Sequence, residues 1–425
     1  MADVPPGVKG MNDILPPEVS KWHFLEEKAR GVLESFAYRE LRTPILEYTP
    51  LFVRSVGEVT DVVEKQMYTF DDRDGRSVSL RPEGTASAVR AYVETAQWNK
   101  EPLTRWYYIG PMFRHERAQR GRLRQFYQVG AEVFGSGEPS MDAEMIAMIV
   151  EMLVRFGLDG GAIEVNVNSL GEPEEREAYR NKLVGYFSQH RDKLDDDSLR
   201  RLETNPLRIL DSKNADVIAV AAGAPKLIDE LNEGSRARFA RVRALLDALG
   251  VKYQIDPGLV RGLDYYTGTI FELKTKAGEL GAQNTVAGGG RYDRLVSSLG
   301  GPNTPAIGFA LGIERALLAI PTSAESYEPA LAVFFAPMDE AALDFALPIV
   351  HRLRGKGIRI EIEHRPSNKV GKMMGRASKL RARAAVIIGS NEIASGNLTV
   401  KDLAHSTQSE VAVADLEMWI RRLLD

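Results

Sequence analysis

Residues 104–135, TRWYYIGPMFRHERAQRGRLRQFYQVGAEVFG, set two aromatic-rich runs on either side of a cluster of arginines. TRWYYIGPMFRHE and QFYQVGAEVFG have the β-branched and aromatic content of strands, and the loop Ala118–Leu123 between them makes an antiparallel pair. Upstream, MYTFDD (67–72) and SVSLRPEG (77–84) read as further strands. LRTPILEYTPLF (41–52) is also β-rich, broken by Pro44 and Pro50, and it follows residues 18–39, where apolar side chains recur at helical spacing. Strands in succession, with helices at 84–97 and 140–157 set to the side, predict an α+β fold on an antiparallel sheet and not alternating βαβ units.

Further along, between about Ser169 and Gly250, the chain turns charged and amphipathic, as in PEEREAYRNKLVGYFSQH (173–190) and SRARFARVRALLDALG (235–250). A helical insertion over 170–252 is expected. Strand character returns in YQIDPGLVRGLDYYTGTIFELKT (253–275), followed by the glycine-rich AGGGRYDRL (287–295) and by PAIGFALGIERALLAI (305–320), a strand leading into a helix. The polar, proline-bounded PTSAESYEP (321–329) has the composition of a linker. Beyond it, strands at 331–337, 358–363, 384–389 and 397–403 and helices at 339–355, 369–382 and 414–424 predict a small α/β domain. The expected division is 1–325, interrupted by the insertion, and 326–425.

A length of 425 residues suits two or three cores. No apolar run approaches the roughly 20 residues that a bilayer-spanning helix needs, so no membrane partner is expected. The start, MADVPPGVKGMNDILPP, lacks the basic-then-apolar pattern of a secretory signal. The absence of cysteine excludes disulfides, thiolate-held metals and thiol catalysis and suits a reducing, cytoplasmic setting. The net charge of −4 averages over unlike regions: from Arg352 to Arg383 eleven Lys or Arg face only Glu361 and Glu363. That segment is either an RNA-facing surface or a solvated helix face with its counter-charges elsewhere.

Common catalytic signatures are missing. There is no GxxxxGK[ST] loop, since Gly371-Lys372 lacks the upstream glycine, and no GxGxxG, GxSxG or HExxH. The histidines at 23, 115, 190, 351, 364 and 405 have no zinc-ligand spacing. Arginines in apolar or glycine-rich β contexts stand out instead: Arg114 after WYYIGPMF, Arg261 inside GLVRGLDYYTG, and Arg315 closing GFALGIER. Singly, each reads better as a salt-bridge partner than as a site residue. Jointly they are what a triphosphate site built on a sheet requires, because guanidinium forks match phosphate geometry and an unpaired buried cation is costly. Acyl activation by ATP is attack of a carboxylate on the α-phosphorus, which needs positioned charge and no side-chain nucleophile.

FRHERAQRGRLRQFYQVGAEVFG resembles motif 2 of class II aminoacyl-tRNA synthetases, AIGFALGIERALLAI resembles motif 3, and LRTPILEYTPLF with Pro44 resembles motif 1. LVRGLDYYTGTIFE and AGGGRYDRL, with RPEGT at 81–85, are similar to the signature peptides of histidyl-tRNA synthetases. The resemblance covers nearly the whole chain. It implies a ligase that activates L-histidine with ATP and passes the histidyl group to the 3' end of tRNA-His, on a class II antiparallel sheet with flanking helices and a C-terminal α/β anticodon-binding domain. It also implies roles for residues. Glu83 and Thr85 would bind the α-amino end of histidine, and Gln128 would help to hold the substrate. Glu132 and Tyr266 would face the imidazole, with Tyr265 lining the pocket; an acceptor and a phenol satisfy both ring nitrogens and penalise substrates that leave them unpaired. Arg114 and Arg261 are the catalytic residues, each counted with both the histidine and the ATP sites. Arg114 would hold the α-phosphate and substrate carboxylate, and Arg261 would stabilise the pentavalent phosphorus. Arg315 would grip the γ-phosphate. Arg117 and Gln119 would meet the tRNA acceptor end. Magnesium is expected with ATP, its ligands unassigned, and a homodimer through motif 1 is implied. The alternatives are a catalytically silent paralogue serving as a regulatory subunit of ATP phosphoribosyltransferase, and an RNA-binding scaffold with a vestigial ATP site.

Overall fold

The computed structural model describes residues 4–57, 60, 62–210, 212, 214–260, 263, 265–278, 280 and 284–424. Arg261, one of the three arginines on which the sequence reading turns, lies outside the described residues.

Helix α1 (Glu18–Ser35) turns Trp22, Leu25, Ala29, Val32 and Leu33 inward at helical spacing. It is shorter than the expected 18–39. Ala37 adopts a left-handed φ of 62°, and the amides of Ala37 and Tyr38 close on the carbonyls of Glu34 and Leu33, which stops the helix. Strands β1 (Arg39–Glu40) and β2 (Leu46–Tyr48) follow, and then helix α2 (Thr49–Val56). The expected strand over 41–52 therefore breaks at Tyr48. Pro50 lies in the first turn of α2, where a missing N–H costs no helical hydrogen bond.

Next come β3 (Tyr68–Asp71), β4 (Ser77–Leu80), α3 (Thr85–Glu94), β5 (Thr104–Phe113), β6 (Gln125–Phe134), α4 (Pro139–Arg155) and β7 (Ile163–Ser169). Helices α5 (Pro173–Ser188), α6 (Asp196–Thr204), α7 (Ala215–Ala221), α8 (Leu227–Glu230) and α9 (Glu233–Ala248) fill the expected insertion. The chain then returns as β8 (Tyr253–Ile255), β9 (Thr267–Thr275), β10 (Thr285–Arg291), α10 (Leu295–Ser298), β11 (Ala306–Gly312) and α11 (Ile313–Ala319). Eight strands form one sheet in the order β1-β5-β6-β11-β10-β9-β7-β8, and β2-β4-β3 form a small second one. Only β1 on β5 and β8 on β7 run parallel; the other pairs of the large sheet are antiparallel. β5 and β6 pair along their full lengths, from Thr104 opposite Phe134 to Phe113 opposite Gln125, and leave the arginine-rich loop at their open end.

The insertion does not keep a core to itself. Phe239, Val242 and Leu246 of α9 join Leu25, Ile146 and Phe156 in the main core behind the sheet. The other insertion helices gather Tyr179, Leu183, Phe187 and Val217 around Leu259, Tyr266 and Ile270 from the sheet side. Short helices with a single apolar stripe each bury it against whatever surface is nearest. No described helix is long and apolar enough to cross a membrane.

The chain divides into two compact units, Met1–Tyr327 and Glu328–Asp425. The second holds β12 (Val333–Pro337), α12 (Glu340–Arg354), β13 (Ile360–Ile362), α13 (Val370–Lys379), β14 (Ala384–Ile388), α14 (Ser390–Ser395), β15 (Asn397–Asp402), β16 (Thr407–Ala412) and α15 (Leu416–Leu424). Its sheet runs β13-β12-β14-β15-β16, parallel among the first three strands and antiparallel beyond. α14 and β16 were not expected from the sequence. β16, TQSEVA, is a largely exposed edge strand held by its ladder to β15, so it carries no apolar alternation to read.

Candidate active site

The floor of the site is the antiparallel sheet. Phe126, Gln128, Gly130 and Glu132 alternate onto one face of β6, opposite Gly312, Ala310 and Gly308 on β11. Large polar side chains on one strand are thus matched by small ones on the next. A Cβ on Gly308 would stand 1.7 Å from Glu132 Oε2, so only glycine leaves the carboxylate its place.

Glu132 has no exposed surface. Its carboxylate accepts hydrogen bonds from Thr85 Oγ1 at 2.8 Å, the Tyr108 hydroxyl at 3.0 Å and the Tyr292 hydroxyl at 2.5 Å. Burial pushes its pKa up to about 8, against the three hydroxyls, which favour the ionised form. Burial likewise raises the phenols of Tyr108, Tyr265 and Tyr292 well above their ordinary value, which keeps them protonated as donors. Tyr265 packs on Tyr266 at 4.7 Å between ring centres and meets the Tyr292 ring edge-on at 5.7 Å. Tyr266 is tied to the insertion by its carbonyl, which accepts Arg176 Nη1 at 2.6 Å. Arg291, beside Tyr292, is buried in an ion pair with Asp142 at 2.6 Å and donates to the carbonyls of Ser136 and Glu138. It is part of the frame that holds Tyr292.

Thr85 opens α3, and the Glu83 carboxylate accepts the amides of Thr85 and Ala86 at 2.7 Å each, capping the helix where its N–H groups have no partners of their own. Burial raises the Glu83 pKa; those amide bonds and the charge of Arg114 oppose it. Arg114 Nε donates to the Pro82 carbonyl at 2.9 Å, and its guanidinium lies 5.3 Å from the centre of the Phe126 ring. Burial pulls the Arg114 pKa down, with Glu116 and Glu83 as its nearest compensation. A cation so placed favours an anionic ligand.

Glu83, Thr85, Arg114, Gln128, Tyr265, Tyr266 and Arg315 line one cleft of about 500 Å³. Arg315 Nη1 donates to the Thr285 carbonyl at 2.8 Å and Nε to the Gly121 carbonyl at 3.1 Å, which fixes the guanidinium at the cleft wall. Burial lowers its pKa, and Arg122 and Arg114 add to that. Gln128 Oε1 is shielded from solvent without a hydrogen-bond partner among the described residues. A buried acceptor of that kind fits a ligand donor.

Of the residues singled out in the sequence, the structure brings together Arg114, Arg315, Gln128, Glu83, Thr85, Tyr265 and Tyr266. Glu132 lies one hydrogen bond behind the lining, through Thr85. Arg117 and Gln119 stand apart on the exposed loop, where the backbones of Gln119 and Arg122 pair in a tight turn. Gln119 lines a separate cavity of about 660 Å³. The reading missed Tyr108 and Tyr292 as donors to Glu132, and it assigned nothing to Glu116, Arg122, Glu272, Lys274 or Glu314, which also line the cleft. Glu314 accepts the Tyr127 amide at 2.9 Å, and burial pushes its pKa up to about 7. An acid inside the apolar run AIGFALGIER was the available signal.

The basic segment of the second unit is less uniform than its composition. Arg376 pairs with Glu361 and Glu363, while Arg354, Arg359 and Arg383 donate to the carbonyls of Ile360, Pro329 and Leu423. Arg365, Lys369, Lys372 and Lys379 are exposed on or just before α13.

The family model of histidyl-tRNA synthetase matches residues 10–316, and that of an anticodon binding domain matches residues 332–423. Over 404 residues, 95% of this chain and 93% of the relative, the chain is 50% identical to the histidine–tRNA ligase of Sorangium cellulosum. Among solved structures, apo histidyl-tRNA synthetase of S. aureus is similar with a TM-score of 0.82 and 36% identity, over 99% of this chain and 100% of that one. A Bacillus halodurans protein described as an ATP phosphoribosyltransferase regulatory subunit/histidyl-tRNA synthetase shares the fold, with a TM-score of 0.64 and 22% identity over 89% of this chain and 96% of that one.

Proposed function

The chain belongs to the histidyl-tRNA synthetase family and catalyses its reaction, the ATP-driven attachment of histidine to tRNA-His, and from that premise we propose how the cleft divides its substrates. The observation that carries the proposal is one cleft with a buried, hydroxyl-bonded carboxylate behind one wall and two anchored arginines, Arg114 and Arg315, on the others.

Histidine lies with its imidazole toward Glu132 and Tyr266. The Tyr266 phenol serves one ring nitrogen, the Glu132 carboxylate sets the polarity on the other side from one hydrogen bond behind the lining, and Tyr265 packs alongside. Thr85, Glu83 and the Oε1 of Gln128 take the α-amino group, a cation with three protons to place. Arg114 spans the histidine carboxylate and the α-phosphate. The carboxylate oxygen attacks the α-phosphorus, the bond to the β-phosphate oxygen breaks, and diphosphate leaves with the electron pair. Arg114 and, by the family resemblance, Arg261 offset charge on the equatorial oxygens, and Arg315 holds the γ-phosphate. A hydroxyl at the 3' end of the tRNA then attacks the activated carbonyl and releases AMP. Magnesium would accompany the ATP phosphates and offset their charge, and Glu116 and Glu272, two of the carboxylates that line the cleft, would be its candidate ligands.

Arg117 and Gln119, exposed on the loop between β5 and β6, are proposed to meet the acceptor end, and the second unit to bind the anticodon through the exposed bases of α13. Leu46, Tyr48 and Phe70 on the small sheet are exposed and apolar, a face suited to a second copy in a homodimer. A cytoplasmic location agrees with a tRNA substrate. The regulatory-subunit alternative is not favoured: it rests on a likeness of fold, whereas the ligase relative is 50% identical over nearly the full length. The test is histidine-dependent exchange of labelled pyrophosphate into ATP with the purified protein and magnesium. Exchange above background is expected, and none with a folded preparation would overturn the reading.

A further inference from the structure

Two cations of the cleft, Lys274 and Arg122, have no task in the scheme above, and Arg122 is closely paired with Glu116 at 2.8 Å. Lys274 follows Glu272 by two residues along β9, so the pleat sends both side chains to the same face, and both line the cleft. Its Nζ is 3.6 Å from Glu272 Oε2, an ion pair too long for a hydrogen bond, and 26% of the side chain is exposed. The register of β9 on β10 sets Lys274 opposite Thr285, whose carbonyl anchors the Arg315 guanidinium at 2.8 Å. Lys274 and Arg315 therefore flank a single residue, from a strand on one side and a helix start on the other. Both side chains line the same cleft, and among the described residues the Glu272 carboxylate is the one negative group that acts on both, so two cations there favour a further anion.

We propose that Lys274 and Arg315 together seat the β- and γ-phosphates of ATP, the diphosphate that departs when histidine is activated. The proposal rests on the ligase reading and adds to it a residue that recognises the leaving group. In the reaction the oxygen of the histidine carboxylate bonds to the α-phosphorus and the bond to the bridging oxygen breaks, so negative charge grows on the diphosphate. The Lys274 ammonium, a compact point charge with rotatable donors, follows that charge without a proton changing hands. A diphosphate carries more charge than one carboxylate, so it displaces Glu272 from the loose pairing. Arg114 grips the α-phosphate from across the cleft, and the pair at Thr285 holds the part that leaves.

The test compares Lys274→Met, which keeps length and removes charge, with Lys274→Arg, in pyrophosphate exchange run at varied ATP, pyrophosphate and histidine. Expected for K274M is a rise of about 10- to 100-fold in KM for both ATP and pyrophosphate, the range for losing one hydrogen bond to a charged group. KM for histidine should stay within about twofold, and K274R should recover most of the loss. Melting temperature and calorimetric histidine affinity report on folding; Lys274→Gln takes the place of K274M if that variant does not fold. ATP and pyrophosphate constants within about twofold of the parent, or an equal rise for histidine, would show a purely structural ion pair and overturn the proposal. The parent run in parallel separates the two questions. Exchange by it upholds the ligase reading whatever Lys274 does, and absence of exchange overturns both.

Discussion

The two ends of the cleft solve opposite problems. At the deep end a carboxylate without exposed surface is surrounded by neutral hydroxyls, and its pKa is pushed up to about 8. At the outer end Arg114, Arg122 and Arg315 are anchored by carbonyls or a carboxylate, Lys274 is loosely paired with Glu272, and all four line the cleft. In the proposed scheme the deep end takes the small, nearly neutral ring, and a guest that leaves its buried polar groups unpaired is penalised. The outer end suits a large polyanion, for which fixed positive charge matters more than shape. The proposed scheme thereby assigns selectivity and chemistry to different physical forces within a few strands of one sheet.

Arg114 touches both ends, so its loss should break the division most severely. Arg114→Ala is expected to lower the single-turnover rate of histidyl-adenylate formation by about 10²- to 10³-fold, the range for removing one donor that stabilises transition-state charge. A rate within about threefold of the parent would mean that the arginine serves binding or folding only. Glu132→Gln acts on the deep end alone. Histidine affinity by calorimetry should weaken about 10- to 100-fold while ATP affinity holds; equal losses for both would dissolve the contrast between the ends. The same variant carries a pH signature. The folded protein keeps the Glu132 proton up to about pH 8, whereas an unfolded chain releases it near 4.5, so the folded parent loses relative stability as pH rises through that window. The melting temperature of E132Q relative to the parent should therefore climb from the lower to the upper end of the window; a flat difference would mean that Glu132 ionises normally. The smallest effect is Gly308→Ala, whose methyl would intrude on Glu132 Oε2. It should cost about 1–3 kcal/mol of stability, read in denaturant unfolding, because a packed core yields little. Histidine binding should weaken more than ATP binding, and unchanged stability would show that the floor gives way.

The sequence made the outer end legible for a chemical reason: arginine beside glycine and aromatic residues in β context is costly without an anion, and Arg114 and Arg315 carried that signal. The deep end was legible only in part. Glu132 came through resemblance, and the hydroxyls that hold it did not, because Tyr108 and Tyr292 are indistinguishable in sequence from the other aromatics of an apolar strand. Lys274 and Glu272 drew no assignment, because a charged pair in the strand TIFELKT carries no signal of its own. The break at Tyr48 was missed because Pro50 was taken as an interruption of a strand and not as the first turn of α2. β7 was missed although IEVNVNS alternates, and β16 because an exposed edge strand needs no apolar face.

By itself the amino-acid sequence determined the class of the fold, most of its strands and helices, and the residue types that an ATP-dependent acyl activation requires, since these follow from local periodicity and from the chemistry of single side chains. Only the tertiary structure decided which side chains meet. Tyr292 lies 160 residues from the carboxylate it donates to, and Lys274 and Arg315 converge on Thr285 only through the strand register. Such pairings depend on register and on the room left by glycines such as Gly308, and those are properties of neighbouring strands that no single stretch of sequence contains.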